Sequence, residues 1–288
     1  MFMTIFKKLA LAAILTLPLS LQAASVWKVS DGKNTVYFGG TVHILNADNL
    51  PLSPEYDEAY AASDKVIFET DIMGAQSAEF QQKLMSKMTL SDGSTLQTRL
   101  NKQTYAALKE YLDSKGMPIE NFHALKPSIT ALTITVMEYQ ANGFDQEGVD
   151  NIYATKASKD GKGIEWFESI DEQIDFIVNL GGDDENAMIT YTLKEIETLP
   201  MVMDDMLLSW KNGDLDRLNE TVIKEMASSS PVIYDDLIVK RNNNWMPKIT
   251  KMLKDEPTEF VLVGTAHLAG KDSIFAKLKA QGYKVEKL

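Results

Sequence analysis

Two of the chain's three histidines sit in the same four-residue frame, Gly40-Thr41-Val42-His43 and Gly264-Thr265-Ala266-His267. By composition, Gly-Thr falls at that offset before a given His with a chance on the order of one in several hundred, so the repeat is treated as a motif. A neutral imidazole can ligate a metal ion or take a proton near neutral pH. A carboxylate of matching chemistry is Glu69, which closes the apolar run Lys65-Val66-Ile67-Phe68. Two imidazoles and one carboxylate leave a coordination position open for water, the ligand arithmetic of a catalytic metal site. The plainer alternative is that each His bonds only its own loop and Glu69 merely ends a strand. Glu69 has no basic neighbour in sequence except Lys65, on the far side of the run. If buried, it must be protonated or meet a cation from elsewhere, and a cation is expected.

These groups meet only if the elements carrying them are neighbours. Val36-Tyr37-Phe38 leads into the first motif and Phe260-Val261-Leu262-Val263 into the second. Such bounded β-branched and aromatic runs read as buried strands. If these strands and the Glu69 strand run parallel, their ends open on the carboxyl edge of a sheet, where α/β folds place ligands. Val26-Trp27-Lys28-Val29, the turn containing Asp31-Gly32 and the strand from Asn34 read as a hairpin. Ser53-Pro54-Glu55 starts a helix running to about Ser63, which returns the chain to the Glu69 strand. Ala75 to Asn142 and residues 184 to 254 read as mostly helical, the latter punctuated by Pro200, Gly213 and Pro231. Between them lie a helix over Gly148–Ser158, a strand over Gly163–Phe167 ending at Glu168, and a helix capped by Ser169-Ile170-Asp171-Glu172. That helix is expected to carry Ile174, Phe176, Ile177 and Leu180 inward. The last unit is a strand, the second motif, a helix over Asp272–Gln281 and a final strand at Tyr283-Lys284-Val285. The predicted fold class is α/β, a central mixed, partly parallel sheet surrounded by many helices in a single domain.

The paired G-x-x-H motifs, the intervening strand ending in Glu and the wording FGGTVHIL and VLVGTAHLAG resemble the TraB/GumN family, which includes PrgY and the Tiki proteases. The likeness extends through Gly148-Val149-Asp150, Ala157, Gly161-Lys162-Gly163-Ile164, Phe167-Glu168-Ser169 and Glu172-Gln173. Glu168-Ser169 stands where the family pattern has Glu-Thr. The resemblance implies a metal-dependent peptidase in which His43 and His267 hold the ion with Glu69 as third ligand or general base; the ligand set suits zinc, manganese or cobalt, and the resemblance favours manganese or cobalt. Arg241-Asn242 falls where the family has an Arg-Asn pair, which implies a role stabilising developing negative charge. Other members of the family are pheromone-shutdown proteins.

Other candidates are weaker. Glu168 is a strand-end carboxylate that suits either a partner behind a metal-bound His or the start of the next helix. His123 lacks the Gly-Thr frame and reads as structural. Met201, Met203 and Met206 lie beside Leu207, Leu208 and Trp210, a cluster suited to helix packing, soft copper or a peptide groove.

Residues 1–24 read as a signal peptide, with Lys7 and Lys8 before the apolar stretch Leu9 to Leu21 and a small-residue cleavage site at Gln22-Ala23-Ala24-Ser25. No later run approaches the roughly 18 apolar residues of a membrane helix, so a soluble mature protein spanning residues 25–288 is expected. Cysteine is absent, which excludes disulfides and thiolate sites and suits a bacterial periplasm or secretion. A net charge of −12 argues against nucleic acid or an anionic membrane as partner. No His-Glu-x-x-His helix is present, which excludes the zincin arrangement. The sequence reading is a periplasmic metal-dependent hydrolase acting on a peptide or protein. The alternatives are a binder of peptide, pheromone or haem in the same cleft, and a metal-independent His/Glu esterase.

Overall fold

The computed structural model describes residues 24–182 and 184–288; the leader read in the sequence therefore lies outside the described residues except for Ala24. Its main sheet has six strands: β1 (Val26–Ser30), β2 (Thr35–Thr41), β4 (Lys65–Thr70), β6 (Gly163–Glu168), β7 (Glu259–Gly264) and β8 (Lys284–Lys287). A separate pair is formed by β3 (Ile44–Leu45) and β5 (Gln146–Glu147). The order in the main sheet is β6-β4-β7-β2-β1-β8. β6, β4, β7 and β2 run parallel, whereas β1 is antiparallel to both β2 and β8. The sheet is thus mixed and partly parallel, an α/β architecture in one domain, and the predicted hairpin is its β1–β2 pair.

Strands covered on both faces read as unbroken apolar runs, and β4 and β7 show why. Val66 and Phe68 with Phe260 and Leu262 face one side, where Tyr56, Tyr60, Tyr153 and Trp210 pack. Ile67, Val261 and Val263 face the other, against Trp245, Ile249 and Phe275. The two-residue period of the strand divides one apolar run between two cores. A third core, including Leu108, Leu112, Ile134 and Ile189, lies among the helices Lys102–Ser114, Pro127–Ala141 and Glu185–Lys211.

Helix boundaries follow local chemistry in most places. Gly161 adopts φ 67° as the left-handed residue closing Val149–Asp160. Ser169 and Glu172 form the expected capping box of Ile170–Val178. Ile174 points into a core, and Ile177 and Leu180 pack against cores as expected while also lining, with Phe176, a cavity. Pro200 does not break its helix, which runs from Glu185 to Lys211, because packing along its length outweighs one lost hydrogen bond. The final helix begins at Ile274, capped by Ser273, slightly later than predicted. Among the described residues, no helix is long and apolar enough to cross a membrane.

Candidate active site

The insertion of β7 between β2 and β4 brings the three predicted strand ends side by side. Thr41 pairs with Gly264 in register, and Gly264 N donates a 2.6 Å hydrogen bond to Glu69 Oε1. A side chain at Gly40 is excluded: a Cβ there would stand 2.6 Å from Thr265 Oγ1. The first motif's glycine therefore lets the second motif close against it, and Thr265 Oγ1 donates to Thr41 O.

The two histidines are held alike and exposed differently. His267 is 4% exposed, and its Nδ1 lies 2.7 Å from Asn242 Oδ1. Asn242 Nδ2 donates to the carbonyls of His267 and Asp272, which fixes its oxygen as an acceptor and places the imidazole proton on Nδ1. Nε2 of His267 keeps its lone pair, 3.8 Å from Glu69 Oε1. Burial pushes His267 down to about 3, with Glu69 opposing the shift. The His43 side chain is 62% exposed and rests its Nδ1 3.1 Å from Asp150 Oδ2. A carboxylate accepts, so Nδ1 carries the proton and Nε2 is again free. The Asp150 carboxylate pulls His43 upward to about 9. The β3–β5 pair, a hydrogen bond from Val149 N to Val42 O, and Gly148, where a Cβ would stand 2.3 Å from His43 O, hold Asp150 at that ring.

Arg241 supplies the cation that Glu69 requires. Its Nη2 donates to Glu69 Oε2 at 2.7 Å and to Glu168 Oε2 at 2.9 Å, while Nε donates to Glu168 Oε1 at 2.8 Å. Trp245 stacks 4.7 Å from the guanidinium and donates its indole N–H to Glu168 Oε1. Burial alone would raise Glu69, but Arg241, then His267 and His43, together with the Gly264 N–H, hold its carboxyl well below the ordinary range. A helical segment of wider, π-type turns, Asp235–Lys240, directly precedes Arg241 and turns Arg241 and Asn242 toward the sheet.

Several expectations change here. Glu168 clamps Arg241 and Trp245 and is not the partner behind a His; that place is taken by Asn242 and Asp150. Asn242 is fully buried with its side chain committed to three hydrogen bonds, so it orients His267 and cannot meet developing charge. His123 bonds Tyr105 Oη at 2.8 Å, apart from this cluster. Met201 is 72% exposed whereas Met203 is in the core, so the methionines do not converge. Asp150 was missed as a site residue because nothing local links a helix-start acid to a His 107 positions away.

A divalent ion is only partly matched by this arrangement. Both imidazoles have Nδ1 held from behind and turn Nε2 forward, the orientation metal-bound histidines adopt, although Nε2 of His267 is met by Arg241. Thr41 Oγ1 and Asp150 Oδ1 are buried without hydrogen-bond partners beside them. Yet among the described residues no three of His, Asp and Glu stand close enough to share an ion. Arg241 stands among these donors, its Nη1 3.4 Å from His267 Nε2 and its charge already meeting Glu69. The donors fit an ion that replaces the Arg241 contact with His267, not one added to the present pairing.

The family model that matches residues 25–287, and so covers both G-x-x-H motifs, shows that the chain belongs to the TraB/PrgY/gumN family. It is similar to proteins named Metalloprotease TIKI2 of Danio rerio and Metalloprotease TIKI1 of Homo sapiens, each 22% identical over 87% of this chain. The chain spans 58% and 59% of those relatives' lengths. No solved structure matches it.

Proposed function

We propose that the protein is an exported, metal-dependent hydrolase that cleaves peptide bonds in the cleft containing His43, Glu69, His267 and Arg241. The observation that carries this reading is the matched pair of imidazoles, each with Nδ1–H held from behind and Nε2 turned forward, beside a carboxylate paired with Arg241. His43 Nε2, His267 Nε2 and Glu69 would hold the ion, manganese, cobalt or zinc by donor type. Such an ion lowers the pKa of bound water and polarises a carbonyl. Asp150 and Asn242 fix the two rings, and Arg241, held by Glu168, presents positive charge to the oxygen of the scissile carbonyl as it becomes anionic. As a general base Glu69 would have to give up its pairing with Arg241 to take a proton, so the ligand role suits it better. The names of the two relatives support peptide-bond chemistry, and the leader read in residues 1–24 supports a periplasmic location.

One observation favours a second reading without metal: the present Arg241 contact with His267 Nε2. There His43 in its neutral form, oriented by Asp150, takes a proton from water directly, as in a His-carboxylate hydrolase. A haem-binding role is disfavoured, since the cavity of about 250 Å³ is small for a macrocycle. Metal analysis of purified processed protein, with peptide cleavage assayed before and after chelation and on adding Mn²⁺, Co²⁺ or Zn²⁺, decides between the two. Stoichiometric metal and chelator-sensitive cleavage support the first reading. Chelator-resistant cleavage by metal-free protein overturns it in favour of the second.

A further inference from the structure

The cavity holding His43, Glu69 and Arg241 has a volume of about 250 Å³. That is below the roughly 300–1,000 Å³ that takes a drug-sized ligand, so it admits one residue of a substrate and not an extended chain. Part of its lining is apolar, formed by Ile72, Leu132, Phe176, Ile177, Leu180 and Leu237. The polar part includes four residues with a buried oxygen that has no hydrogen-bond partner: Thr41 Oγ1, Thr70 Oγ1, Asp150 Oδ1 and Gln173 Oε1. Native structures leave few such atoms, and here four of the residues that hold them line one cavity, with each oxygen itself tucked beneath its surface.

All four atoms accept hydrogen bonds, and the carboxylate and amide oxygens can do nothing else. Asp150 also brings charge: its Oδ2 is taken by His43 and its Oδ1 is not. The group that satisfies this lining is a cation with several N–H donors, attached directly to an apolar side chain. A bare metal ion would use the oxygens and leave the apolar wall uncovered. A peptide's first residue uses both, because its α-ammonium carries three donors and its side chain stands on the adjacent carbon.

Resting on the hydrolase reading above, we propose that this cavity is the subsite for the N-terminal residue of a peptide, with a free α-amino group and a large aliphatic side chain. Asp150 and Gln173 turn their unpaired oxygens into the cavity to receive the ammonium, the apolar wall receives the side chain, and the first peptide carbonyl lies toward Arg241. Water then adds across that bond: the C–N bond breaks, hydroxide joins the acyl carbon, and the remaining proton goes to the leaving amine. The products are a free amino acid and a peptide shortened by one residue.

Isothermal titration of the processed protein with L-leucinamide, N-acetyl-L-leucinamide and glycinamide tests the subsite apart from catalysis. Leucinamide is expected to bind, with the acetylated and glycine compounds at least tenfold weaker. Asp150 also orients His43, so the cleaner variant is Gln173→Leu, which keeps side-chain size and removes an acceptor that bonds nothing else. It should weaken leucinamide about tenfold and raise KM for a leucyl peptide with little change in kcat. Equal binding of leucinamide and its N-acetyl form, or binding of neither, overturns the subsite. Leucinamide binding without cleavage of any leucyl peptide would sustain the subsite and defeat the hydrolase reading. Cleavage of N-acetylated peptides as fast as free ones would do the reverse.

Discussion

Asn242 Oδ1 accepts the Nδ1 proton of His267 at 2.7 Å, from a side chain that is itself completely buried and anchored to two carbonyls. The imidazole is thereby held in one tautomer and one orientation. Asn242→Ala leaves the ring N–H and two carbonyls without partners, at about 1–3 kcal/mol for each buried group that water does not reach. A net loss of about 2–4 kcal/mol and a fall in kcat/KM of at least tenfold are expected. Urea unfolding and peptide kinetics on the same preparation check this, and a variant as stable and active as wild type would falsify the assignment.

Arg241→Lys keeps the charge and loses the planar fork. A lysine ammonium cannot bind Glu168 through two parallel N–H groups while also reaching Glu69, so one carboxylate is left poorly paired in a buried site. The expected cost is about 3 kcal/mol in unfolding free energy, with a loss of turnover on the order of 100-fold. Chemical denaturation and steady-state kinetics measure the two separately.

The three histidines should separate cleanly on substitution. His43→Ala removes an exposed ring and should leave stability within about 1 kcal/mol of wild type, yet abolish activity and metal retention. His267→Ala should lose both function and stability, since its ring is buried against Trp245. His123→Ala should keep metal and activity. If all three retain stoichiometric metal, neither motif histidine is a ligand.

In metal-free protein His267 should contribute a loss of stability on acidification below about pH 6.5. His267 has its folded pKa depressed to about 3, so between 3 and 6.5 the unfolded chain binds the extra proton and stability rises with pH. Glu69, also depressed, adds the same sign below its unfolded pKa near 4.5: its contribution is present above that value and lost as pH falls through the folded one. In His267→Gln the slope between pH 5 and 6 should be shallower by up to about 1.4 kcal/mol per pH unit. Equal slopes by urea unfolding at these pH values would remove His267 as the titrating group.

Glu259 should act with the opposite sign. It lies buried at the start of β7, 3.6 Å from Lys65 Nζ, which already meets Glu165 at 2.9 Å, and its Oε2 has no partner. Burial pushes its carboxyl up to about 7, with Lys65 opposing. The folded state therefore binds more protons between about 4.5 and 7, and stability falls as pH rises through that window. Glu259→Gln should stabilise the protein at pH 8, by about 2–3 kcal/mol more than at pH 5. Thermal melts at the two pH values test it; an equal effect at both refutes a titrating Glu259.

What the sequence determined by itself was local. Bounded apolar runs marked β2, β4 and β7, the Asp31-Gly32 turn marked the first hairpin, and the Ser169–Glu172 box marked a helix start, because each depends on residues a few positions apart. The Gly-Thr-x-His repeat singled out His43 and His267, and the isolation of Glu69 required a cation without naming it. Only the tertiary structure decided the partners. Arg241 reaches Glu69 across 172 positions, Arg241 reaches Glu168 across 73, and Asp150 reaches His43 across 107. Those pairings follow from β7 lying between β2 and β4 and from the π-type turns before Arg241, and no local pattern encodes either. Strand order is settled by which apolar faces bury each other best over the whole chain, so the side chains that meet at the strand ends are a product of global packing.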